Sequence, residues 1–305
     1  MSNAIIKSNY TVDNFDVSVI IVNWNSGKYL EETINSLREK TKDLLYEIIL
    51  IDNNSSHQEE SYLYIDKLIQ YDNVTVIKSD ENLGFAKANN RGMELANGRI
   101  LLLLNPDVIL HNNMLKILSD YLDCNENIAM VGPKVLNKDG TFQHTCLRGK
   151  PYPKDTLYHI IGLSKKFPKN ERYNKFALLH LDIDEINECG DLSGCCMMIK
   201  KSLYDEIGGM DEQFFMYEEE TDWCFRAIKT GKKIIYNPNA IVTHYQGVTT
   251  KKIKVRSIWI FTQSMMKFFK KHFWNDYNIF QKAFWAILIY GNFFLKLTVV
   301  HLRGK

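Results

Sequence analysis

The 305-residue sequence contains no Cys-x-x-Cys pair, and two of its six cysteines, Cys195 and Cys196, are adjacent, an awkward spacing for a disulfide. The six are read as reduced thiols of a cytoplasmic protein. No Gly-x-Gly-x-x-Gly follows the first apolar run and no P-loop is present, which sets aside dinucleotide dehydrogenase and ATPase readings. The N-terminal stretch MSNAIIKSNYTVDNFD lacks the apolar core and small-residue cleavage site of a secretory signal, so export of the body is not expected. There is no internal repeat and no low-complexity tract. What is present is 45% hydrophobic residues, enough for one large domain with a sizeable core or a domain with an appendage.

The net charge of +2 conceals an asymmetry. Residues 251–305 hold eleven Lys or Arg against one acid, Asp276, so the preceding 250 residues are acidic by −8. An acidic body with a basic tail drawn to an anionic surface is the natural reading.

Residues 17–22, VSVIIV, are apolar and β-branched, stop at Asn23-Trp24-Asn25-Ser26-Gly27, and give way to a helical pattern near Lys28. The unit recurs at EIILID (47–52), at NVTVIKS (73–79) and at ILLLL (100–104), the last followed by Asn-Pro-Asp and a helix expected from about His111. Continuous apolar strands alternating with amphipathic helices predict an α/β fold: a mixed, mostly parallel sheet with helices on both faces. Ligands of such sheets bind beyond the carboxyl ends of the strands. The candidate site therefore lies in the loops at 23–27, 52–56, 80–85 and 105–107. After Pro133, KVLNKDGTF reads as a hairpin turning at Asp139-Gly140, and residues 146–185 read as an irregular insertion, basic and aromatic in places. Order returns from Gly190 as strand, short helix, Gly-Gly turn, acidic helix, strand and a final strand bearing His244.

Several residues can carry chemistry. Asp107 follows the ILLLL run and either offers a hard oxygen to a divalent cation or caps a turn. His244 is either its imidazole partner or a hydrogen-bonded structural histidine. Tyr217-Glu218-Glu219-Glu220-Thr221-Asp222 packs four carboxylates into five positions at a helix start, where they either serve as a general base or complement the helix dipole. The aromatic flanks Phe214, Phe215, Tyr217 and Trp223 favour an enclosed sugar site. Asp52 can accept from a pyrimidine N3–H or cap the next turn. Asn82, Gly84, Phe85 and Asn89 place a glycine where backbone approaches something closely, with amides one helical turn on, though a satisfied helix start reads the same way.

Taken in order, VSVIIVNWNS, IILIDNNSS, ENLGFAKANNRG, LLLLNPDV, GPKVLNKDGT, LSGCCMMIKKSLYDEIGGMDEQFFMYEEETDWCFR and VTHYQG resemble family 2 glycosyltransferases of the GT-A fold, most of all the rhamnosyltransferase-like branch, over residues 16–250. The resemblance implies a nucleotide diphosphate sugar donor, Mg²⁺ or Mn²⁺, and inversion by one in-line displacement. It implies donor contacts from Asn23, Asn25, Asp52, Asn53, Asn82, Gly84, Phe85, Asn89, Asn105 and Asp107, with Asp107 and His244 on the metal. Asn105 stands where the family's first metal-site acid is found, and Glu220 where its catalytic aspartate is found. One added methylene moves the carboxylate by roughly a bond length, on a scale (~1 Å) that matters in catalysis. Glu220 is the expected base, Glu219 the runner-up, and Asp222 is expected to orient the acceptor or its neighbours. The branch points to dTDP-rhamnose, while uridine diphosphate hexoses share the same pyrimidine contacts. The rival reading is a catalytically idle module that binds nucleotide sugar or glycan.

Residues 251–305 contain thirteen aromatics interleaved with Lys and Arg. This suits amphipathic helices at a membrane interface better than nucleic-acid binding, which is not expected. The stretch 283–300 reaches spanning length, but Asn292 and Lys296 favour a surface-lying or packed helix over a span. The expectation is thus a catalytic domain over 1–250, a membrane-associating region over 251–305, a lipid-linked glycan acceptor and a peripheral place on the inner face of the cell membrane.

Overall fold

Strands form where the sequence is most continuously apolar, because a sheet covered on both faces leaves no polar side for alternation. A computed structural model describes residues 4–6, 14–58, 60–245 and 254–303. The first half contains β1 (Ala4–Ile6), β2 (Val17–Asn23), α1 (Tyr29–Lys40), β3 (Tyr46–Asp52), α2 (Glu60–Leu68), β4 (Val74–Lys78), α3 (Phe85–Glu94) and β5 (Ile100–Leu104). β2, β3, β4 and β5 pair in parallel, in the order β4-β3-β2-β5, with Asn23 opposite Asp52 at the carboxyl ends. Every residue of β5 is buried. At about 1.5–3 kcal/mol per buried aliphatic side chain, the strands supply much of the core's stabilisation.

The second half continues the sheet with β6 (Val108–Leu110), α4 (Met114–Asp123), β7 (Ile128–Leu136), α5 (Pro153–Ile160), α6 (Leu163–Lys166), β8 (Asn187–Cys189), β9 (Cys196–Lys200), α7 (Lys201–Ile207), α8 (Glu219–Lys229) and β10 (Lys233–His244). β9 runs antiparallel to both β5 and β7, and β10 runs parallel to β7. The result is one mixed ten-stranded sheet, parallel in its longest ladders, with β1 antiparallel on the far edge.

Two expectations change. The segment after Asn105-Pro106-Asp107 is not a helix from His111: β6 comes first, pairing antiparallel with β10, and the helix starts at Met114. The separate strand and His-bearing strand are one strand, β10, whose register shifts between Asn237 and Ile241. That irregularity lets one strand pair with β7 along its length and still deliver His244 opposite Val108. The turn at Asp139-Gly140 is present, closed by a single bridge from Leu136 to Phe142, with Gly140 at a φ of 82°.

The C-terminal segment folds back as α9 (Lys254–His272) and α10 (Ile279–Arg303), which pack on each other. Phe268, Phe269 and Phe273 form a second apolar cluster with Phe214 and Phe225 of the body and Ile289 of α10. Among the described residues no helix is long and apolar enough to cross a membrane. The expected boundary at 250/251, Gln246 and Gly247 of the VTHYQG block, Lys251, Lys252 and most of the N-terminal stretch before Asn14 lie outside the described residues.

Candidate active site

The loops selected by the strand-end rule converge. Asn23 and Asp52 close adjacent parallel strands, and the Asn23 amide donates to Asp52 Oδ1 at 2.8 Å and to Ser55 Oγ at 3.0 Å. Ser26 donates to Asn23 Oδ1, and the Ser55 backbone donates to Asp52 Oδ2 at 3.3 Å. Both residues are buried, so each carboxylate oxygen is fixed in direction while keeping a second lone pair for a ligand. Asn25, in the left-handed region at φ 51°, accepts from the Ser56 backbone at 2.8 Å and ties the two loops together.

Asn53 performs the same service for the third loop. Its amide donates to Asn82 Oδ1 at 3.1 Å and Gly84 O at 3.2 Å, and its oxygen accepts from Leu83 N at 2.9 Å. Gly84, at φ 81°, lies so close to Phe215 that a Cβ would stand 2.3 Å from the Phe215 carbonyl oxygen. The Phe85 N–H donates to that same oxygen at 2.8 Å. Asn89 bonds back to Phe85 O at 3.0 Å, within its own helix, and the neighbouring Asn90 clamps Met210 through two bonds of 2.8 Å.

Asp107 and His244 meet where β6 pairs with β10. His244 Nε2 lies 3.3 Å from Asp107 Oδ1 and 3.4 Å from Asn105 Nδ2. On the other side of the ring, Nδ1 lies 3.0 Å from the buried amide oxygen of Gln143. Only a protonated Nδ1 can donate there, so that whenever the ring is neutral it is the Nε2 lone pair that faces the aspartate. A hard oxygen beside a neutral imidazole nitrogen is a fitting pair for a divalent cation. No group of three His, Cys, Asp or Glu with metal-binding geometry occurs among the described residues, so a cation held by this pair would need further ligands from elsewhere. Burial works against the imidazolium of His244, but Cys195 and Asp107 outweigh it and raise the pKa to about 10. A cation bound here would compete with that proton for one nitrogen.

The Asn105 backbone donates to Cys195 O at 2.8 Å, and the preceding Gly194 rests against both Phe85 and Glu220. A Cβ placed on Gly194 would lie 3.4 Å from Glu220 Cβ and from Phe85 Cε1. One short segment therefore bridges the Asp107–His244 pair and the acidic helix. Just before α8, Tyr217 and Glu218 have φ of 72° and 67°. Such left-handed residues cost roughly 1–2 kcal/mol each, and here they turn the chain so that three successive glutamates gather at the helix start.

Arg148, from the irregular segment, and Asp191, from the loop after β8, were not anticipated as site residues. Arg148 Nη2 lies 2.7 Å from the buried Asp191 and 3.8 Å from Glu220 Oε1. Thr221 donates to Asp191 at 3.1 Å. Burial, reinforced by the Glu220 charge and partly offset by Arg148, pushes Glu218 up to about 8. Burial also raises Asp191 to about 7 against the pull of Arg148, and lifts Glu219 well above the carboxylate range. Buried oxygens of Glu219, Glu220 and Asp191 have no hydrogen-bond partner among the described residues. The arrangement is a set of carboxyl groups able to take up a proton beside a fixed cation.

Asp222 belongs elsewhere. Its carboxylate, fully buried, is held by Arg226 at 2.9 Å, Lys271 at 2.7 Å and His272 at 2.7 Å. With its oxygens committed to Arg226, Lys271 and His272, it fastens α9 to α8; of the two expectations, that it orients an acceptor or its neighbours, the contacts here are to neighbours.

The family model described as Glycosyl transferase family 2 matches residues 18–208. A low-salt glycan biosynthesis hexosyltransferase of Haloferax volcanii is 30% identical over 216 residues, 70% of this chain and 61% of the relative. An N-acetylglucosaminyl-diphospho-decaprenol L-rhamnosyltransferase of Mycobacterium tuberculosis is 26% identical over 76% of each chain. Among solved structures, a mannosyltransferase from Pyrobaculum calidifontis in complex with GDP-Man and Mn²⁺ is similar with a TM-score of 0.56 at 16% identity, covering 87% of this chain and 65% of that one. GalNAc-T7 with UDP, GalNAc and Mn²⁺ gives the same score at 20% identity, covering 77% of this chain and 45% of that one. Likeness at such identities speaks for the fold.

Proposed function

Because the chain belongs to glycosyl transferase family 2, we propose that it transfers one sugar from a nucleoside diphosphate donor to a hydroxyl of a glycan acceptor, with inversion at the anomeric carbon. The observation that carries this reading is the Gly194–Cys195 segment, which joins Asn105 on one side to Phe85 and Glu220 on the other.

In this reading Asp52, aligned by Asn23 and Ser55, accepts from the N–H of a pyrimidine base, and Asn25, Asn53, Asn82 and Gly84 shape the walls for ribose and diphosphate. Asn89 acts through the start of α3, where it holds the Phe85 carbonyl. Asp107 and His244 hold a divalent cation, Mg²⁺ or Mn²⁺, with Asn105 beside them. When bound, such a cation supplies charge neutralisation for the departing diphosphate. Glu220 takes the proton of the attacking acceptor hydroxyl, its partnerless oxygen being free to accept it. Glu219, more deeply buried, is the second choice. Arg148 holds the cluster's charge in place.

The donor we assign is dTDP-rhamnose, by analogy with the rhamnosyltransferase of Mycobacterium tuberculosis and a dTDP-rhamnosyl transferase of Shigella flexneri, and the acceptor a lipid-linked precursor of a surface polysaccharide. The tail supports a peripheral place on the inner membrane face. α10 leaves Ile279, Phe280, Phe284, Ile287, Phe294 and Leu295 each 49–81% exposed, an outward apolar stripe on a strongly basic segment. All six cysteines are free, in keeping with a cytoplasmic setting.

The substitutions at Asn105 and Glu220 favour one rival, a module that binds nucleotide sugar without turnover. A panel of nucleotide sugars with Mn²⁺ or Mg²⁺, scored for nucleoside diphosphate release with and without membrane lipid extract, separates them. Release from one donor, lost with chelator and in Asp107→Ala, is the expected result. Nucleotide binding with silence across the panel, lipid extract included, identifies the binding module.

A further inference from the structure

Residues 149–176 leave the body and return to it as a closed excursion. The Gly149 N–H donates to Phe176 O at 2.7 Å, and a Cβ on Gly149 would stand 1.7 Å from Lys175 O, so the two sides of the neck are in backbone contact. Beyond the neck, α5 and α6 are joined by Ile161 and Gly162, the latter at a φ of 81°. The hairpin is braced from within. Ser164 Oγ donates to Tyr173 O at 2.6 Å, and the amide of the fully buried Asn174 donates to Phe167 O at 2.8 Å and to Asn170 O at 3.0 Å. Its shape is thus fixed, yet it covers little: α5 contains no buried residue, and Ile160, Ile161 and Phe167 are 42%, 56% and 42% exposed. The charge is one-sided as well. From Lys150 to Lys175 there are seven Lys or Arg and two acids, and Lys165, Lys166, Lys169 and Arg172 are all exposed.

We propose that the α5–α6 hairpin is a second seat on an anionic lipid surface, entering it with Ile160, Ile161 and Phe167 while Lys165, Lys166 and Lys169 meet the headgroups. The inference rests on the peripheral reading given above for α10 and adds a contact from a separate part of the chain.

Single exposed aliphatic side chains are ordinary, but three at one braced tip, with cations beside them, match the interfacial pattern of apolar groups at the acyl boundary and cations on acidic lipid. Lys166 lies over the Phe167 ring at 5.6 Å and Arg172 over the Tyr173 ring at 5.9 Å, so charge and apolar surface are presented together. A nucleic acid would engage the cations but leave Ile160 and Ile161 against phosphate and sugar, with no gain from their burial. The hairpin also stands beside the helix that carries the other contact. Leu157 and Ile160 of α5 line one cleft with Trp285, Leu288 and Ile289 of α10. Phe280, Phe284 and Ile287, spaced four and three residues apart, form the exposed stripe of that same helix. A single helix lying on a surface can roll about its own axis, whereas a second foot off that axis fixes the tilt of the body. The neck of the hairpin begins next to Arg148, whose guanidinium lies 3.8 Å from Glu220, so the tilt it sets is that of the acidic cluster.

The test is co-sedimentation of the full chain with phosphatidylcholine vesicles containing phosphatidylserine. It compares the parent with Ile161→Glu plus Phe167→Glu, with Lys165→Glu plus Lys166→Glu, and with Phe280→Glu plus Ile287→Glu on α10. Each surface cation contributes roughly fivefold to partition, so both hairpin variants are expected to bind about tenfold more weakly or less, with the parent's melting curve unchanged. Partition within twofold of the parent in both hairpin variants overturns the proposal, as when the hairpin seats a protein partner instead. Should the variants unfold, hydrogen exchange of the parent with and without vesicles decides. Protection over 157–169 supports the second seat, and protection confined to α10 overturns it. A parent chain that stays in solution strikes the peripheral reading and this proposal with it, while binding that depends on Phe280 and Ile287 alone strikes only the proposal.

Discussion

Asp222→Asn keeps the volume of the side chain and removes the charge on which Arg226, Lys271 and His272 converge. Breaking a buried ion pair from one side costs about 3–5 kcal/mol, mostly because the partners are left uncompensated. Here Arg226 and Lys271 keep 20% and 33% of their side-chain surface exposed, and Arg226 also donates to Ile207 O and Gly209 O at 2.6 and 2.5 Å. The lower end, about 3 kcal/mol, is therefore the expected loss. The pH dependence gives an independent figure. Burial alone would raise the Asp222 pKa, but hydrogen bonds from His272 and Lys271 and the charge of Arg226 bring it from 3.8 down to about 2. A group depressed in the folded state stabilises above its unfolded pKa and loses that contribution as pH falls through the folded one. The drop corresponds to about 2.5 kcal/mol, lost between about pH 5 and pH 2. Urea unfolding of parent and variant should thus differ by about 3 kcal/mol near neutrality and by much less near pH 2. A difference below about 1 kcal/mol at neutral pH, or one that does not shrink on acidification, refutes the pin.

Glu220→Gln should abolish transfer and leave nucleoside diphosphate binding intact, read by single-turnover assay and calorimetry; full activity removes Glu220 as the base. Gln143→Leu deprives His244 Nδ1–H of its acceptor and should weaken Mn²⁺ roughly 10–100-fold, measured by titration in the presence of nucleoside diphosphate. Unchanged affinity would mean that Gln143 does not set the imidazole's orientation. Phe280→Glu combined with Ile287→Glu, both on the outward stripe of α10, should release the protein from anionic vesicles in a sedimentation assay. Retention with the vesicles counts against that stripe as the membrane contact.

The parts of the site built from local pattern were legible in the sequence. VSVIIV, EIILID and ILLLL announce buried strands, and a strand-end rule then selects Asn23, Asp52, Asn105 and Asp107 without any coordinates. The parts built from long-range contact were not. Asp222 looks like one more acid of a catalytic cluster, although the Asp222–Arg226 spacing hints at a helix pair. Its other partners, Lys271 and His272, lie some fifty residues on, beyond β10, where no local pattern points to them. Arg148 carries no motif, because an isolated arginine in an irregular stretch looks solvated until Asp191 is folded beneath it. β10 reads as two strands since Asn237-Pro238-Asn239 carries turn chemistry, and only its pairing with both β7 and β6 keeps it whole.

The clasp at Asp222 makes the two ends of the chain's business mechanically inseparable. Glu220 and Asp222 stand two residues apart on the first turn of α8, one turned toward the sheet's strand ends and the other gripped by the last residues of α9. Any tug on the C-terminal hairpin is therefore delivered within a single helical turn of Glu220. On the proposed function, anchorage at a surface and alignment of the proton acceptor would share one lever arm, and a protein detached from its surface would not hold Glu220 as an attached one does.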